Sequence, residues 1–268
     1  MRKNADRLMK NTSLALLPCL FLAACGAGGS NHGSTPSLSK TSQTEDLPIA
    51  WQSPNIFEKY TAKGNAKLAN SWTRKLDTSG ISFDSKKTCT LITRRHVLMA
   101  RHYQRPVLAP VIFHDRSGKR IARHLVAVKP GSGDYAVGLL NEPLPNNYKA
   151  YPLPTHSANL AEKLTNRSVV LTDQNRRLFI HQIAAISGGH IRFKQNPTQQ
   201  KGYRKNLVSG DSGNPSFIII RGQPVLIETH TTGGPGAGPF YGDATVQAEI
   251  SQMVNAMDSN YSIRTVSW

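Results

Sequence analysis

A polar turn in the last quarter of the chain presents a serine that could act as a nucleophile. The stretch VSGDSGNPSF, residues 208–217, turns on Gly, Asp and Asn and leads directly into the apolar segment SFIII. Ser212 stands in the middle of this turn. A hydroxyl is a weak nucleophile at neutral pH, so it needs a base beside it and a further group that orients the base. If Ser212 does chemistry, the chain must also supply a base and an orienting group.

Candidates for both partners lie earlier in the chain. The segment LITRRHVLMARHY, residues 91–103, leads from a strand-like apolar run into His96 and His102. Asp134 precedes the strongly apolar run YAVGLL, where a buried carboxylate costs free energy unless a partner compensates its charge. The chain therefore offers, in the order His, Asp and Ser, the groups needed for attack on a carbonyl carbon.

The segments around these residues predict an all-β fold. From about residue 80, short apolar runs rich in β-branched residues alternate with Gly, Pro and Asn, a pattern typical of a barrel or sandwich. A connection rich in proline and asparagine, residues 141–160, separates two groups of runs. The predicted strands are 88–93, 106–114, 122–128, 135–140, 168–172, 178–186, 190–193, 216–220, 224–230 and 244–248.

Two segments have a different pattern. Apolar residues from Ile250 to Met257 recur at i, i+3, i+4 and i+7, which predicts an amphipathic helix that closes the folded region. At residues 55–76 we expect another helix, broken near Gly64.

The three candidate blocks resemble the trypsin/chymotrypsin-like serine peptidases. LITRRHVLMARHY is similar to that family's LIS…WVLTAAHC block and matches His102, not His96, to the catalytic histidine. GDYAVGLL is similar to its NDIALLKL block, with Asp134 as the aspartate, and SGDSGNPSF to its GDSGGPLF block, with Ser212 as the nucleophile. The resemblance covers about residues 80–258 and implies two packed antiparallel six-stranded β-barrels with a C-terminal helix.

The resemblance also implies roles for individual residues. The backbone N–H groups of Gly210 and Ser212 would form the oxyanion hole. Asn206, His230 and Thr231 are candidate lining residues of the pocket for the P1 side chain. With Arg204 and Lys205 nearby, His230 indicates a preference for acidic P1 residues, although a surface position in a strand is the alternative for this histidine.

The sequence departs from the family in the cysteine pairing of the His102 loop, and it leaves open the partner of Asp211. Tyr103 stands where the family has a disulfide-bonded cysteine, so Cys89 lacks that partner and packing must fix the loop of His102. Asp211 would pair, in trypsin-like enzymes, with an amino terminus that cleavage sets free. Here either the chain is cut near EDLPIAWQ, residues 45–52, or Asp211 has a basic side chain as partner, which is the expectation we favour.

The start of the chain predicts an export signal. Basic residues from Arg2 to Lys10 precede the apolar run SLALLPCLFLAA, which Pro18 interrupts and which is too short to span a membrane. The run ends on LAAC, similar to the bacterial lipobox, which implies acylation of Cys25. We therefore expect a lipid-anchored protein of the bacterial cell envelope, on the outer membrane facing the periplasm in a Gram-negative host, or an exported one.

These observations predict five regions along the chain. They are a lipoprotein signal peptide (1–24), a flexible tether (25–50), an N-terminal extension (51–79), a first β-barrel with His102 and Asp134 (80–150), and a second β-barrel with Ser212 and the C-terminal helix (151–268).

Composition narrows the choice of partners. The 268 residues carry a formal net charge of +17, which would attract anions such as envelope polymers. The basic residues are scattered singly, without a recognition helix or zinc spacing, so no nucleic acid is expected. The nine histidines lack ligand spacing, and we expect no metal or cofactor. The expected partners are a protein or peptide substrate and, through Cys25, a membrane; the protein is expected to be a monomer.

The function predicted is therefore a serine endopeptidase that hydrolyses peptide bonds through a His–Asp–Ser triad and an acyl-enzyme intermediate. The alternative is a catalytically idle, protease-like binding lipoprotein of the cell envelope. The flank MARH favours that alternative because it places Met99 and Arg101 close to His102, and the basic surface also favours it.

Overall fold

The structure, a computed structural model, describes residues 52–197 and 199–268. It consists mostly of β-strands in two six-stranded antiparallel, barrel-like sheets, followed by a C-terminal helix. This confirms the predicted chymotrypsin-like two-barrel fold. The predicted signal peptide (1–24), its Cys25 and the tether (25–50) lie outside the described residues, as does Trp51.

Two short paired strands occupy the segment for which a broken helix was predicted. They are β1 (Phe57–Lys59) and β2 (Lys67–Leu68), followed by a 3-10 turn at Trp72–Lys75. The backbone here bonds to distant segments: the N–H of Ile56 donates to the carbonyl of Arg176, and that of Ala66 to the carbonyl of Gly118. The helix prediction was wrong because these tertiary bonds take donors that a helix would use internally.

The first sheet carries the predicted base and the predicted carboxylate. Its strands are β3 (Ile81–Ser82), β4 (Cys89–Leu91), β5 (His96–Met99), β6 (Pro110–His114), β7 (Arg120–Pro130) and β8 (Ala136–Leu140). Their spatial order is β3-β4-β5-β8-β7-β6, with every neighbour antiparallel. Strands β5 and β8 are buried along their whole length, as their continuous apolar sequences require.

The second sheet carries the serine turn. Ahead of it lie β9 (Leu153–Pro154) and a short helix α1 (Leu160–Leu164). Its strands are β10 (Ser168–Thr172), β11 (Leu178–Ser187), β12 (His190–Lys194), β13 (Pro215–Ile220), β14 (Gln223–Thr229) and β15 (Ala237–Pro239). They are ordered β14-β13-β10-β11-β12-β15 in space.

The closing helix is α2 (Ala244–Met257), as predicted from its apolar period. Residues 244–248, also predicted as a strand, form its first turn, because the Asp243 carboxylate accepts the N–H groups of Thr245 and Val246 and so caps a helix at this point. After α2, strand β16 (Thr265–Val266) pairs in parallel with β9. In the described part of the chain, no helix is both long and apolar enough to cross a membrane.

One apolar cluster joins the two sheets to each other and to α2. It includes Leu98 and Val137 of the first sheet, Val170 and Phe217 of the second, and Ile250 of the helix, all fully or almost fully buried. Burial of this kind stabilises a fold by roughly 25 cal/mol per Å² of apolar surface. The cluster fixes β5 and β8 against β10 and β13, and so sets the distance between the segments that follow or precede these strands.

Candidate active site

The ends of three strands bring the predicted triad together. Met99 of β5 pairs with Ala136 of β8, so the chain leaving β5 and the chain entering β8 lie at the same edge of the first sheet. His102 follows β5 in a single 3-10 turn, Asp134 precedes β8, and Ser212 precedes β13 of the second sheet. The three residues come from distant parts of the sequence, yet their strands converge at one place.

The side chains form a continuous hydrogen-bonded chain. His102 Nδ1 lies 2.7 Å from Asp134 Oδ2, and the backbone N–H of His102 donates to Asp134 Oδ1 over 2.9 Å. His102 Nε2 lies 2.9 Å from Ser212 Oγ. With the Nδ1 proton directed at the carboxylate, Nε2 is the acceptor for the serine hydroxyl. The His102 side chain is 46% exposed and that of Asp134 34%, so a ligand can reach the site.

The other candidate base, His96, is a core residue. It begins β5, at the end of the strand opposite to His102, and is fully buried. Its Nδ1 lies 2.8 Å from the hydroxyl of Thr93, and burial lowers its pKa to about 4. The structure thus places His102, not His96, at the serine, in agreement with the sequence prediction.

The turn of Ser212 leaves two backbone donors open. Gly210 and Gly213 have φ angles of +94° and +83°, in the left-handed region that favours glycine. The amides of Asp211 and Gly213 donate to the carbonyls of Val208 and His230. Within the residues described, the amides of Gly210 and Ser212 have no protein acceptor, so the two predicted oxyanion donors are free to bind a ligand oxygen.

Gln174, which the sequence did not single out, holds this turn from outside. Its Nε2 donates to the carbonyl of Ser209 over 3.0 Å, and its backbone N–H donates to Asp211 Oδ1 over 3.1 Å. A Cβ on Gly210 would lie 2.6 Å from Gln174 Oε1. Gly210 is therefore required both by its φ angle and by this contact. The available signal was weak: a polar TDQN stretch directly after a buried strand.

Asp211 has a basic partner, as the sequence predicted. The residue is 1% exposed, and its Oδ2 lies 2.9 Å from Lys205 Nζ. Burial alone would raise its pKa, but the hydrogen bond from the Val208 N–H, the Lys205 ammonium and the Gln174 N–H together lower the pKa of Asp211 below its ordinary value. Lys205 also lies 2.7 Å from Asp173, another buried carboxylate that sequence inspection missed.

A cavity of about 210 Å³ adjoins Ser212. Its walls come from the loop before the serine and from the chain after β14; they are Leu207, Val208, Ser209, Asp211, Ser212, His230, Thr231, Thr232 and Gly233. Of the three residues predicted to line a P1 pocket, His230 and Thr231 line this cavity. Asn206 is not among the lining residues, and its side chain accepts a hydrogen bond from Gln195.

His230 has little freedom to bind a ligand. The residue is 1% exposed, with Nδ1 3.0 Å from a carboxylate oxygen of Glu228 and Nε2 3.2 Å from the carbonyl of Thr172. Both ring nitrogens therefore already face protein acceptors. The surface position that the sequence left open for this histidine is excluded by its burial.

The loop after His102 is fixed by a buried ion pair as well as by packing. Arg105 contacts both carboxylate oxygens of Asp84, each at 2.8 Å, and donates to the carbonyl of Lys87 and the hydroxyl of Ser82. The expectation that packing alone holds this loop was incomplete. Cys89 is a buried free thiol, and burial raises its pKa to about 11, so it is no nucleophile.

Neither a family model nor a curated protein matches the chain. The resemblance to trypsin/chymotrypsin-like peptidases therefore stays a prediction that depends on the motifs and the site geometry. In the two described ranges, no group of three or more His, Cys, Asp or Glu side chains is arranged to hold a metal ion.

Proposed function

We propose that this protein is a serine endopeptidase that hydrolyses peptide bonds through His102, Asp134 and Ser212. The observation that carries the proposal is the hydrogen-bonded chain from Asp134 through His102 to Ser212, with side-chain distances of 2.7 and 2.9 Å. Two unoccupied backbone donors beside the serine add to this support.

The proposed reaction has two halves. Ser212 Oγ attacks the substrate carbonyl while His102 Nε2 takes its proton, and Asp134 stabilises the imidazolium that forms. The amides of Gly210 and Ser212 bind the oxyanion, an interaction worth roughly 3 kcal/mol per donor in sites of this kind. His102 then gives its proton to the leaving amine, which breaks the peptide bond and leaves an acyl-enzyme. In the second half, water attacks the acyl-enzyme while His102 takes its proton. His102 then returns a proton to Ser212 Oγ, and the carboxylic acid product is released.

The P1 preference belongs to the same proposal. The sequence predicts acidic P1 residues, but Lys205 pairs with Asp211 and the His230 nitrogens face acceptors. The Thr231 hydroxyl already donates to the carbonyl of Ala237 over 3.3 Å. Among the described residues, the lining hydroxyls left for a P1 carboxylate are those of Ser209 and Thr232, beside the nucleophile itself. A peptide library tests this: enrichment of Glu or Asp at P1 supports the acidic preference, and enrichment of small uncharged residues replaces it.

The decisive experiment compares the wild type with Ser212→Ala on casein and on a peptide library. We expect the substitution to lower kcat by a factor of about 10⁴ or more, because it removes the nucleophile. Labelling by a fluorophosphonate should disappear in parallel. Ser187→Ala, at the exposed end of β11, is the matched control and should keep full activity.

A second outcome would favour the other function. A folded wild type that neither turns over substrate nor takes the fluorophosphonate label contradicts the peptidase proposal and favours an idle, protease-like binding protein. For the location of the protein we propose a lipid anchor at Cys25 in the bacterial cell envelope, supported by the LAAC motif.

A further inference from the structure

A buried cluster of three charges lies directly behind the serine turn. Lys205 Nζ lies 2.7 Å from Asp173 Oδ2 and 2.9 Å from Asp211 Oδ2, and the three side chains are 12%, 0% and 1% exposed. Arg177 also lies 2.8 Å from Asp173, so Asp173 has two cationic partners. Asp211 has one among the described residues, which is Lys205. Removing one partner of such a pair leaves an uncompensated buried charge, so Asp211 depends on Lys205.

Asp211 transmits this dependence to the catalytic turn. Its Oδ2 accepts the N–H of Val208 over 2.8 Å, and its Oδ1 accepts the N–H of Gln174 over 3.1 Å. One carboxylate therefore bonds both the start of the loop and the neighbouring strand end. With the loop held in this way, the amides of Gly210 and Ser212 stay free of protein acceptors.

The ammonium of Lys205 is itself held in place by β11. The backbone N–H of Lys205 donates to His181 Nε2 over 3.2 Å, and Nζ lies 5.6 Å from the centre of the Phe179 ring. A cation at this distance from an aromatic face is attracted to it. The charge therefore has a fixed position that does not depend on a chain terminus.

We propose that Lys205 is a positioning residue whose ammonium, paired with Asp211 and Asp173, holds the loop from Val208 to Gly213 so that the amides of Gly210 and Ser212 can bind an oxyanion. This inference rests on the proposed peptidase function. It implies that the protein is competent without a cut that frees a new amino terminus.

The first test replaces the ammonium and keeps the length of the side chain. Lys205→Met should lower kcat at least 100-fold and change KM less than tenfold, the loss expected when an oxyanion donor is misplaced. Amide hydrogen exchange in a peptide covering residues 207–214 should become faster. Lys67→Met, which removes an exposed pair with Glu58, is the matched control and should change neither quantity.

A second variant separates positioning from stability. Lys205→Met leaves Asp211 buried without its cation, so the variant should melt at a lower temperature. In the double variant Lys205→Met/Asp211→Asn that carboxylate is gone, and the melting temperature should recover in part while kcat stays at least 100-fold below the wild type. Recovery of kcat together with melting temperature would reduce Lys205 to a stabilising residue and overturn the proposal.

The remaining outcomes distinguish this inference from the peptidase function itself. A folded Lys205→Met variant with wild-type kcat and unchanged exchange overturns the inference and leaves the peptidase intact. An inactive wild type contradicts the peptidase function, while faster exchange at 207–214 in Lys205→Met still supports the positioning role. Intact mass spectrometry before and after the assay completes the test: activity that appears only after a cut within residues 45–52 overturns the inference.

Discussion

Gly210 shows how single residues set the chemistry of this site. Its positive φ turns the chain so that the amides on either side of Asp211 face away from protein acceptors. Its missing side chain makes room for Gln174, which binds the carbonyl one residue earlier. One position thus serves backbone conformation and local packing together.

Gly210→Ala should therefore impair catalysis more than stability. An alanine at positive φ costs about 1 kcal/mol in the free energy of unfolding, and its Cβ would also push against Gln174 Oε1. We expect kcat to fall at least tenfold, measured by peptide hydrolysis. Gly222→Ala is the control: Gly222 also has a positive φ, +72°, but a Cβ there meets nothing within 4 Å. Equal loss of kcat in both variants would contradict the role assigned to the Gly210 turn.

At the residue scale, the sequence predicted what a short motif can encode. The nucleophile, base and aspartate were found because each stands beside a recognisable apolar strand. Gln174 and Asp173 were missed because the contacts that connect them to the Ser212 turn join residues 32 or more positions apart. His230 lies at the cavity beside Ser212. The acceptors that face its two ring nitrogens, on Glu228 and Thr172, become evident only once β14 and β10 are positioned in the second sheet.

At the scale of elements, the two ends of β5 place two histidines in opposite environments. His96, at its start, is buried beside Tyr261, and His102, just past its end, is exposed at the catalytic edge. A buried imidazole without compensation is kept neutral, since charging it would mean solvating a cation in an apolar interior. The histidine at the start of β5 therefore makes stability depend on pH, and the histidine after its end is the proposed base.

This arrangement predicts acid sensitivity. The pKa of His96 is about 4 in the folded protein against 6.5 unfolded, so the unfolded chain binds more protons between these values and stability falls as pH drops from 6.5 to 4. His96→Gln should make the free energy of unfolding, from urea titrations at pH 7 and pH 5, less dependent on pH. Burial also lowers the pKa of His181 to about 4, so His96→Gln should keep part of the pH dependence of stability. If the free energy of unfolding of His96→Gln changed between pH 7 and pH 5 as much as that of the exposed control His124→Gln, His96 would not be a source of the acid sensitivity.

Elements were predictable where their period was long and clear. The strands around the triad and helix α2 were found from their apolar patterns. The segment 55–76 was misassigned because its donors bond to Arg176 and Gly118, which no local pattern shows. The two-residue strands β2, β3, β9 and β16 are too short to have a period at all.

At the scale of the whole molecule, the proposed lipid anchor decides where the protein works. Each buried CH₂ of an acyl chain contributes roughly 0.8 kcal/mol to membrane binding. Expressed in a bacterial host, the wild type should partition into the detergent phase of Triton X-114, and Cys25→Ser should move to the aqueous phase. Cys19→Ser, within the predicted signal, should partition like the wild type. Detergent-phase recovery of Cys25→Ser would exclude Cys25 as the anchor.

The Arg105–Asp84 pair has a consequence for the conditions that the protein can tolerate. Its charges and hydrogen bonds hold the loop after His102 against the first sheet. Among residues 52–197 and 199–268, Cys89 is the one free thiol. A thiol reductant such as dithiothreitol has no disulfide to open at this loop, and burial keeps the Cys89 thiol away from oxidants. The position of His102 should therefore be the same under reducing and oxidising conditions.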